Sequence, residues 1–207
     1  MKKRILLGDD HPLVLEGGQG LLAERYDIVG LEEDGRALVE AALRLKPDLV
    51  ILDISMPLLS GVEAARRIRA SLPKVKLLFL TMHAERTYLQ AAFEAGADGY
   101  LLKSAARGEL VGAAQKVLEG QTYISGELSG GWEHLRDADK IAKSFKLSPR
   151  QREILQLIAE GRSAKEIGGI LNVSVKTVSF HKENIKRKLG VKTIAELTRN
   201  ALAEGVI

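Results

Sequence analysis

Leu49-Val50-Ile51-Leu52-Asp53-Ile54-Ser55-Met56-Pro57-Leu58-Leu59-Ser60-Gly61 is an apolar run that ends on an acid and then breaks. Short, nearly all-apolar runs of this kind fit strands covered on both faces. The arrangement recurs. Ile5-Leu6-Leu7-Gly8 ends on Asp9 and Asp10, Val75-Lys76-Leu77-Leu78-Phe79-Leu80 ends on Thr81, and Tyr100-Leu101-Leu102 ends on Lys103. In an open parallel sheet the carboxyl ends of the strands meet along one edge, where ligands bind. Three acids, one hydroxyl and one ammonium are therefore expected side by side. Carboxylates gathered there suit a hard cation. The hydroxyl and ammonium suit an anion that the cation brings in.

Working outward, strands are predicted over 4–8, 26–31, 48–53, 75–81 and 98–103, with helices over 12–23, 35–46, 60–71, 85–95 and 106–119. Val62, Ala65, Ile68 and Arg69 recur at helical spacing in the third helix. Five βα units of this length imply an α/β fold, a doubly wound five-stranded parallel sheet of flavodoxin-like order. The first helix carries Gly17, Gly18 and Gly20, each costing about 1 kcal/mol relative to alanine. Gly17-Gly18-Gln19-Gly20 is not a phosphate loop, because no Lys-Ser/Thr follows it and it does not directly follow a strand.

The chain has 207 residues, enough for two domains. It has no cysteine, which excludes disulfides and thiolate metal sites and fits a cytoplasmic location. The basic and apolar opening stops at Gly8, far short of a signal-peptide core, and no stretch approaches a membrane span. Net charge is +4 but uneven: residues 1–120 carry 16 Lys and Arg against 17 Asp and Glu, and residues 121–207 carry 15 against 10. The second half is the one suited to a polyanion.

Residues 1–120 are thus read as one domain, 121–146 as a Gly/Ser-containing linker around the single Trp132, and 147–207 as a small all-α domain of four helices. Those helices are predicted over 149–160, 164–171, 175–189 and 194–204. Ser148 with Gln151, Ser163 with Glu166 and Thr193 with Glu196 form three capping boxes, and Ser174 caps the third helix. Gly161 and Gly190 sit where helices end. Asn172-Val173-Ser174 is short enough for the turn of a helix-turn-helix.

Asp9/Asp10, Asp53-x-x-Met56-Pro57-x-x-x-Gly61, Thr81, Tyr100 and Lys103, in this order, resemble a response-regulator receiver domain over residues 4–119. Leu147 through Leu155, Gly161 through Ile167, and Val175 through Val191 resemble the NarL/FixJ, or LuxR-type, output domain. The resemblance implies a transcription factor controlled by phosphorylation, not an enzyme with an external substrate. Asp53 would be the phosphoacceptor, supplied by a phosphohistidine on a sensor histidine kinase. Mg²⁺ would be held by Asp10, Asp53 and the backbone carbonyl of Ser55, with Asp9 holding a water; it would offset repulsion between the attacking carboxylate and the phosphoryl group. Thr81 would donate to one phosphoryl oxygen and Lys103 would pair with another. Thr81 and Tyr100 would form the switch: a dianion at Asp53 draws Thr81 inward, and Tyr100 turns into the space vacated.

In the predicted recognition helix Val178, Ile185 and Leu189 mark the buried face. The residues assigned to double-stranded operator DNA are Lys165, Lys176, Thr177, Ser179, Phe180, Lys182, Glu183, Lys186 and Arg187. Two depart from the family pattern: a basic residue often stands at Ser179, and a non-acidic one at Glu183. Glu183 would read a base or else pair with Arg187. His181 reads as a packed histidine. Release of the receiver from the output domain would favour a homodimer through Ala195, Leu197, Ala201 and Leu202. The alternatives are a helical domain that binds protein instead of DNA, and a magnesium-dependent phosphohydrolase.

Overall fold

The structure, a computed structural model, describes residues 1–129, 147–191 and 193–203. Trp132 and most of the predicted linker lie outside the described residues, as do the side chains of Ala201 and Leu202. The chain divides into two compact units, Met1–Arg136 and Asp137–Ile207.

The first unit alternates strand and helix: β1 (Arg4–Gly8), α1 (Pro12–Leu22), β2 (Asp27–Glu32), α2 (Gly35–Leu45), β3 (Leu49–Leu52), α3 (Gly61–Ser71), β4 (Lys76–Thr81), α4 (Arg86–Glu94), β5 (Gly99–Leu102), α5 (Ala106–Leu118), β6 (Tyr123–Ile124) and the single turn α6 (Gly126–Ser129). The strands form one sheet of order β2-β1-β3-β4-β5-β6, parallel throughout. The first five are those the sequence predicts, in flavodoxin-like order.

Strand alternation sorts the core into two layers. Leu6, Val50, Leu52, Leu77, Phe79, Tyr100 and Leu102 face one way, onto Leu38, Ala41, Ala65, Ile68, Leu89 and Ala92 of α2, α3 and α4. Ile5, Leu7, Leu49, Ile51, Leu78, Leu80 and Leu101 face the other way, onto α1 and α5. Arg69 shares the helical spacing of α3 but does not join the core. Its guanidinium donates to the Gly96 carbonyl at 2.7 Å and to Asp98 at 2.6 Å, and Lys76 meets the same carboxylate at 2.8 Å.

The sixth strand lies inside the segment read as linker. Tyr123 and Ile124 pair with Gly99 and Tyr100. Ser125 extends the pairing: its N–H donates to the Tyr100 carbonyl at 2.9 Å, and its Oγ accepts from the Leu102 N–H at 3.2 Å. Tyr123 Oη donates to Glu109 at 2.5 Å, and Lys116 stands 5.4 Å from the centre of the Tyr123 ring. The domain therefore keeps hold of its chain past the end of α5.

α1 forms despite its glycines because Leu15, Gly18 and Leu22 bury one face. An added Cβ at Gly18 would touch Leu7 at 3.6 Å, whereas Gly17 and Gly20 face open space. Nothing in the structure requires glycine at those two positions. Gly17→Ala and Gly20→Ala should each stabilise the unit by about 1 kcal/mol, read from the urea midpoint. A loss of stability in both would contradict this account of the helix.

The second unit contains α7 (Pro149–Ala159), α8 (Ala164–Leu171), α9 (Val175–Leu189) and α10 (Ile194–Ala203). The boxes at Ser148 and Ser163 are complete, and Thr193 and Glu196 exchange the same pair of bonds at 3.2 Å each. Ser174 Oγ accepts from the Thr177 N–H at 3.0 Å. Asn172, in left-handed backbone, ends α8, and the Val173 N–H returns to the Gly168 carbonyl at 2.9 Å. A Cβ on Gly168 would lie 2.8 Å from the Val173 carbonyl oxygen, so this tight turn depends on glycine. Leu147, Ile154, Leu155, Leu157, Ile167, Leu171, Val178, Ile185 and Leu197 are buried.

Candidate functional site

The sheet brings the predicted residues together at its carboxyl edge. Asp53 follows β3, and its N–H donates to the Gly8 carbonyl at 2.9 Å, which sets it beside Asp9. Both carboxylates are nearly closed off from solvent, at 3% and 4% residue exposure. Lys103 bridges them, with Nζ 2.7 Å from Asp9 Oδ2 and 2.6 Å from Asp53 Oδ2. Asp53 Oδ1 accepts from the Ile54 N–H at 2.6 Å. Asp9 Oδ1 accepts from the His11 N–H at 3.0 Å.

Burial pushes the Asp9 carboxyl up; Lys103 and the His11 N–H oppose that shift only in part, and the charge of Asp53 adds to it. Burial also works against the charge of Lys103. There the close carboxylates of Asp53 and Asp9 outweigh it and hold the ammonium above its usual range. The cluster is thus a buried cation between two carboxylates, one of which is ionised at a cost.

Asp10 stands apart, exposed, with its Oδ1 at 2.7 Å from His11 Nδ1. The ligand atoms of Asp9, Asp10 and His11 lie within 4.8 Å of one another. His11 had drawn no attention in the sequence, yet it follows the two acids directly and stands at the N-cap of α1. An all-oxygen set of Asp9, Asp10, Asp53 and the Ser55 carbonyl matches the preference of Mg²⁺. Asp9 Oδ2 is buried with Lys103 at ion-pair distance but no hydrogen bond of good geometry, which leaves it acceptor capacity.

Thr81 is fully buried, and its Oγ1 accepts from the His83 N–H at 3.4 Å. His83 is the second residue that sequence reasoning missed. It lies two positions beyond Thr81, past the end of β4 and after a bend at Met82. Its Nε2 is 2.9 Å from Ser55 Oγ, and its ring stacks on Tyr88 at 4.0 Å. Tyr100 lies inward. Its ring is buried beside Phe79, at 6.3 Å between centroids, and its Oη donates to the His83 carbonyl at 2.8 Å. Burial raises the phenol well above its usual range, so the group stays protonated and remains a donor.

In α9, Val178 and Ile185 are buried and Leu189 is half-buried, as the spacing predicts. Lys176, Ser179, Phe180, Glu183 and Arg187 are exposed; Thr177, Lys182 and Lys186 are half-buried, and Lys165 of α8 is exposed. Glu183 pairs with Lys186 at 3.3 Å, not with Arg187, which donates to Asn184. Lys188, the remaining cation of this run, donates to Gln151 of α7 at 2.9 Å and so serves the domain's own packing. His181 is half-buried with its ring edge-on to Phe180, 5.8 Å between centroids.

The response regulator receiver domain family matches residues 5–115, and the luxR family of bacterial regulatory proteins matches residues 146–201. The transcriptional regulatory protein MctR of Rhizobium johnstonii is 38% identical over 208 residues, covering all of this chain and 96% of the relative. The chain belongs to the LuxR-type response regulators. The oxygen regulatory protein NreC of Staphylococcus epidermidis is also similar, 37% identical over 99% of both chains. Among solved structures, this regulator resembles RcsB of Salmonella typhimurium, with TM-score 0.66, 29% identity and 98% of each chain covered. It also resembles RcsB in a complex with DNA, with TM-score 0.61, 30% identity and 99% of each chain covered. The regulator is therefore a two-component protein with a receiver and a LuxR-type DNA-binding domain, and not an enzyme. No helix among the described residues is long and apolar enough to cross a membrane.

Proposed function

We propose that this response regulator takes a phosphoryl group onto Asp53 from the phosphohistidine of a sensor kinase, with Mg²⁺ at the acidic edge, and binds operator DNA through α9. The observation that carries the first part is the buried Asp53 carboxylate, 2.6 Å from Lys103 and beside Asp9. Asp10, Asp53 and the Ser55 carbonyl would hold the ion, with Asp9 reaching it through water; bound there, it neutralises charge on the incoming group. Lys103 pairs with a phosphoryl oxygen, and Thr81 exchanges its contact with the His83 N–H for another. The inward Tyr100, bonded through its Oη to the His83 carbonyl, ties β5 to the loop that follows Thr81, so a movement of Thr81 toward the phosphoryl group would be felt at Tyr100. The DNA reading is supported by the exposed cations of α9 and by the relative seen with DNA. Phosphorylation would favour a homodimer on operator DNA, in the cytoplasm where a kinase and the chromosome are both within reach.

Incubation of the full chain with acetyl phosphate and Mg²⁺ should place one phosphoryl group on Asp53, identified by peptide mapping. Omitting Mg²⁺ should stop the labelling, since the reaction joins two anions. Stable labelling of Asp53→Ala at the wild-type level would overturn the assignment. A salt series on random duplex tests the second half, and binding that ignores salt would count against it.

A further inference from the structure

The most exposed stripe of α9 has an unusual composition. At about 100° per residue, Lys176, Phe180, Glu183 and Arg187 fall within a sector of about 60°, opposite Val178 and Ile185. All four are exposed, and the second of them is a phenylalanine left 65% open to solvent. At that exposure a large apolar side chain is not held by core packing, and its ring stands edge-on to His181. The stripe therefore runs cation, aromatic, acid, cation.

Its dimensions fit the major groove. Lys176 and Arg187 are about 16 Å apart along the axis, while the groove is about 12 Å wide. A helix laid across the groove would bring the two cations to its phosphate walls and the two central residues over the base edges. Phe180 and Glu183 are about 4.5 Å apart along the axis, close to one base-pair step of about 3.4 Å. An aromatic ring against bases has one distinctive apolar target, the thymine methyl; the amino donors in the groove are cytosine N4 and adenine N6, and a carboxylate suits the first better because the acceptor N7 beside adenine N6 repels it. Glu183 is free to make that contact: its side chain is 71% exposed, and its only recorded tie is the 3.3 Å contact with Lys186, a cation that can turn to a phosphate instead.

We infer that Phe180 and Glu183 are the specificity-determining pair of this protein and select a thymine and a cytosine in neighbouring base pairs of each half-site. The inference rests on the DNA-binding reading. It adds what that reading lacks, the chemistry of the preferred sequence. The negative charge of Glu183 weakens binding to any other sequence, so the pair excludes wrong sites as well as choosing right ones.

The test is a randomised-duplex selection with the full phosphorylated chain, followed by affinities on the enriched site. Replacing the selected thymine by deoxyuridine removes only the methyl group. It should weaken wild-type binding severalfold and leave Phe180→Ala unaffected. Replacing the selected C·G pair by T·A should cost wild type roughly tenfold and Glu183→Gln little. Glu183→Gln should also bind random duplex more tightly than wild type. Both residues are exposed, so neither substitution should affect folding. Enrichment without a thymine–cytosine step, or equal affinity for thymine and deoxyuridine sites, overturns the inference while leaving DNA binding intact. Failure to bind any duplex overturns both.

Discussion

Lys103→Ala should lower the unfolding free energy of the receiver by about 3 kcal/mol at neutral pH, the usual cost of removing one partner from a buried ion pair. Lys103 lies between the Asp9 and Asp53 carboxylates, at 2.7 and 2.6 Å, with its side chain 10% exposed, and His11 Nδ1 is 3.2 Å from the other oxygen of Asp9. Without it, the two buried carboxylates lose the ammonium they share. Two conditions should then rescue the variant. Mg²⁺ should stabilise it more than wild type, because the ion supplies the missing charge. Acid should also narrow the gap. Burial already raises Asp9 above 3.8, and losing Lys103 removes an opposing influence, so protonation becomes favourable in the fold at higher pH. Stability of the variant relative to wild type should thus increase as pH falls from 7 toward 4. In wild type the ammonium is held above 10.5, so its contribution is full below that value and is lost only as pH rises through the raised pKa. Urea titrations across this range, with and without Mg²⁺, read all three effects. A variant as stable as wild type and indifferent to Mg²⁺ would remove Lys103 from the centre of the site.

Gly61→Ala should have an effect of similar size through a different cause. The Gly61 N–H donates to the Ile54 carbonyl at 2.7 Å, which folds the chain back under the acceptor loop. A Cβ at this position would lie 1.7 Å from the Asp53 carbonyl oxygen and 3.1 Å from Ile54 Cα. Neither neighbour can yield, because both are backbone. The loop must open, at about 3 kcal/mol, the upper end of ordinary overpacking. Asp53 then leaves its place beside Lys103, so labelling by a small phosphodonor should fall at least tenfold even where the protein is still folded. Wild-type labelling together with wild-type stability would show that the loop has room it is not seen to have.

The residues readable in the sequence were those whose placement depends on local pattern. Asp9, Asp53, Thr81 and Lys103 end apolar runs, and a parallel sheet brings such ends together without further instruction. The caps at Ser148, Ser163, Ser174 and Thr193 were readable because both partners lie within one turn. What escaped depended on rotamers or on distant partners. His83 joins Ser55 to Tyr100 only because two loops approach each other, and no spacing encodes that. Glu183 chose Lys186 over Arg187, a choice between i+3 and i+4 that composition leaves open. Tyr100 was correctly placed on its strand, but which way its ring lay was not readable. The strand β6 was hidden by length: two residues carry no periodicity.

That last strand decides where this protein can be divided. Without Tyr123–Ser125, the wholly apolar β5 becomes an outer strand with the Tyr100 carbonyl and the Leu102 N–H open to any passing backbone. Such an edge invites pairing with a second chain. The seam of the receiver therefore lies neither at residue 115, where the family match stops within α5, nor at Leu118, where that helix ends. A graft of this receiver onto another output module has to carry Ser125 with it. A splice made at Gly120 would hand the new partner a sheet with its side torn open.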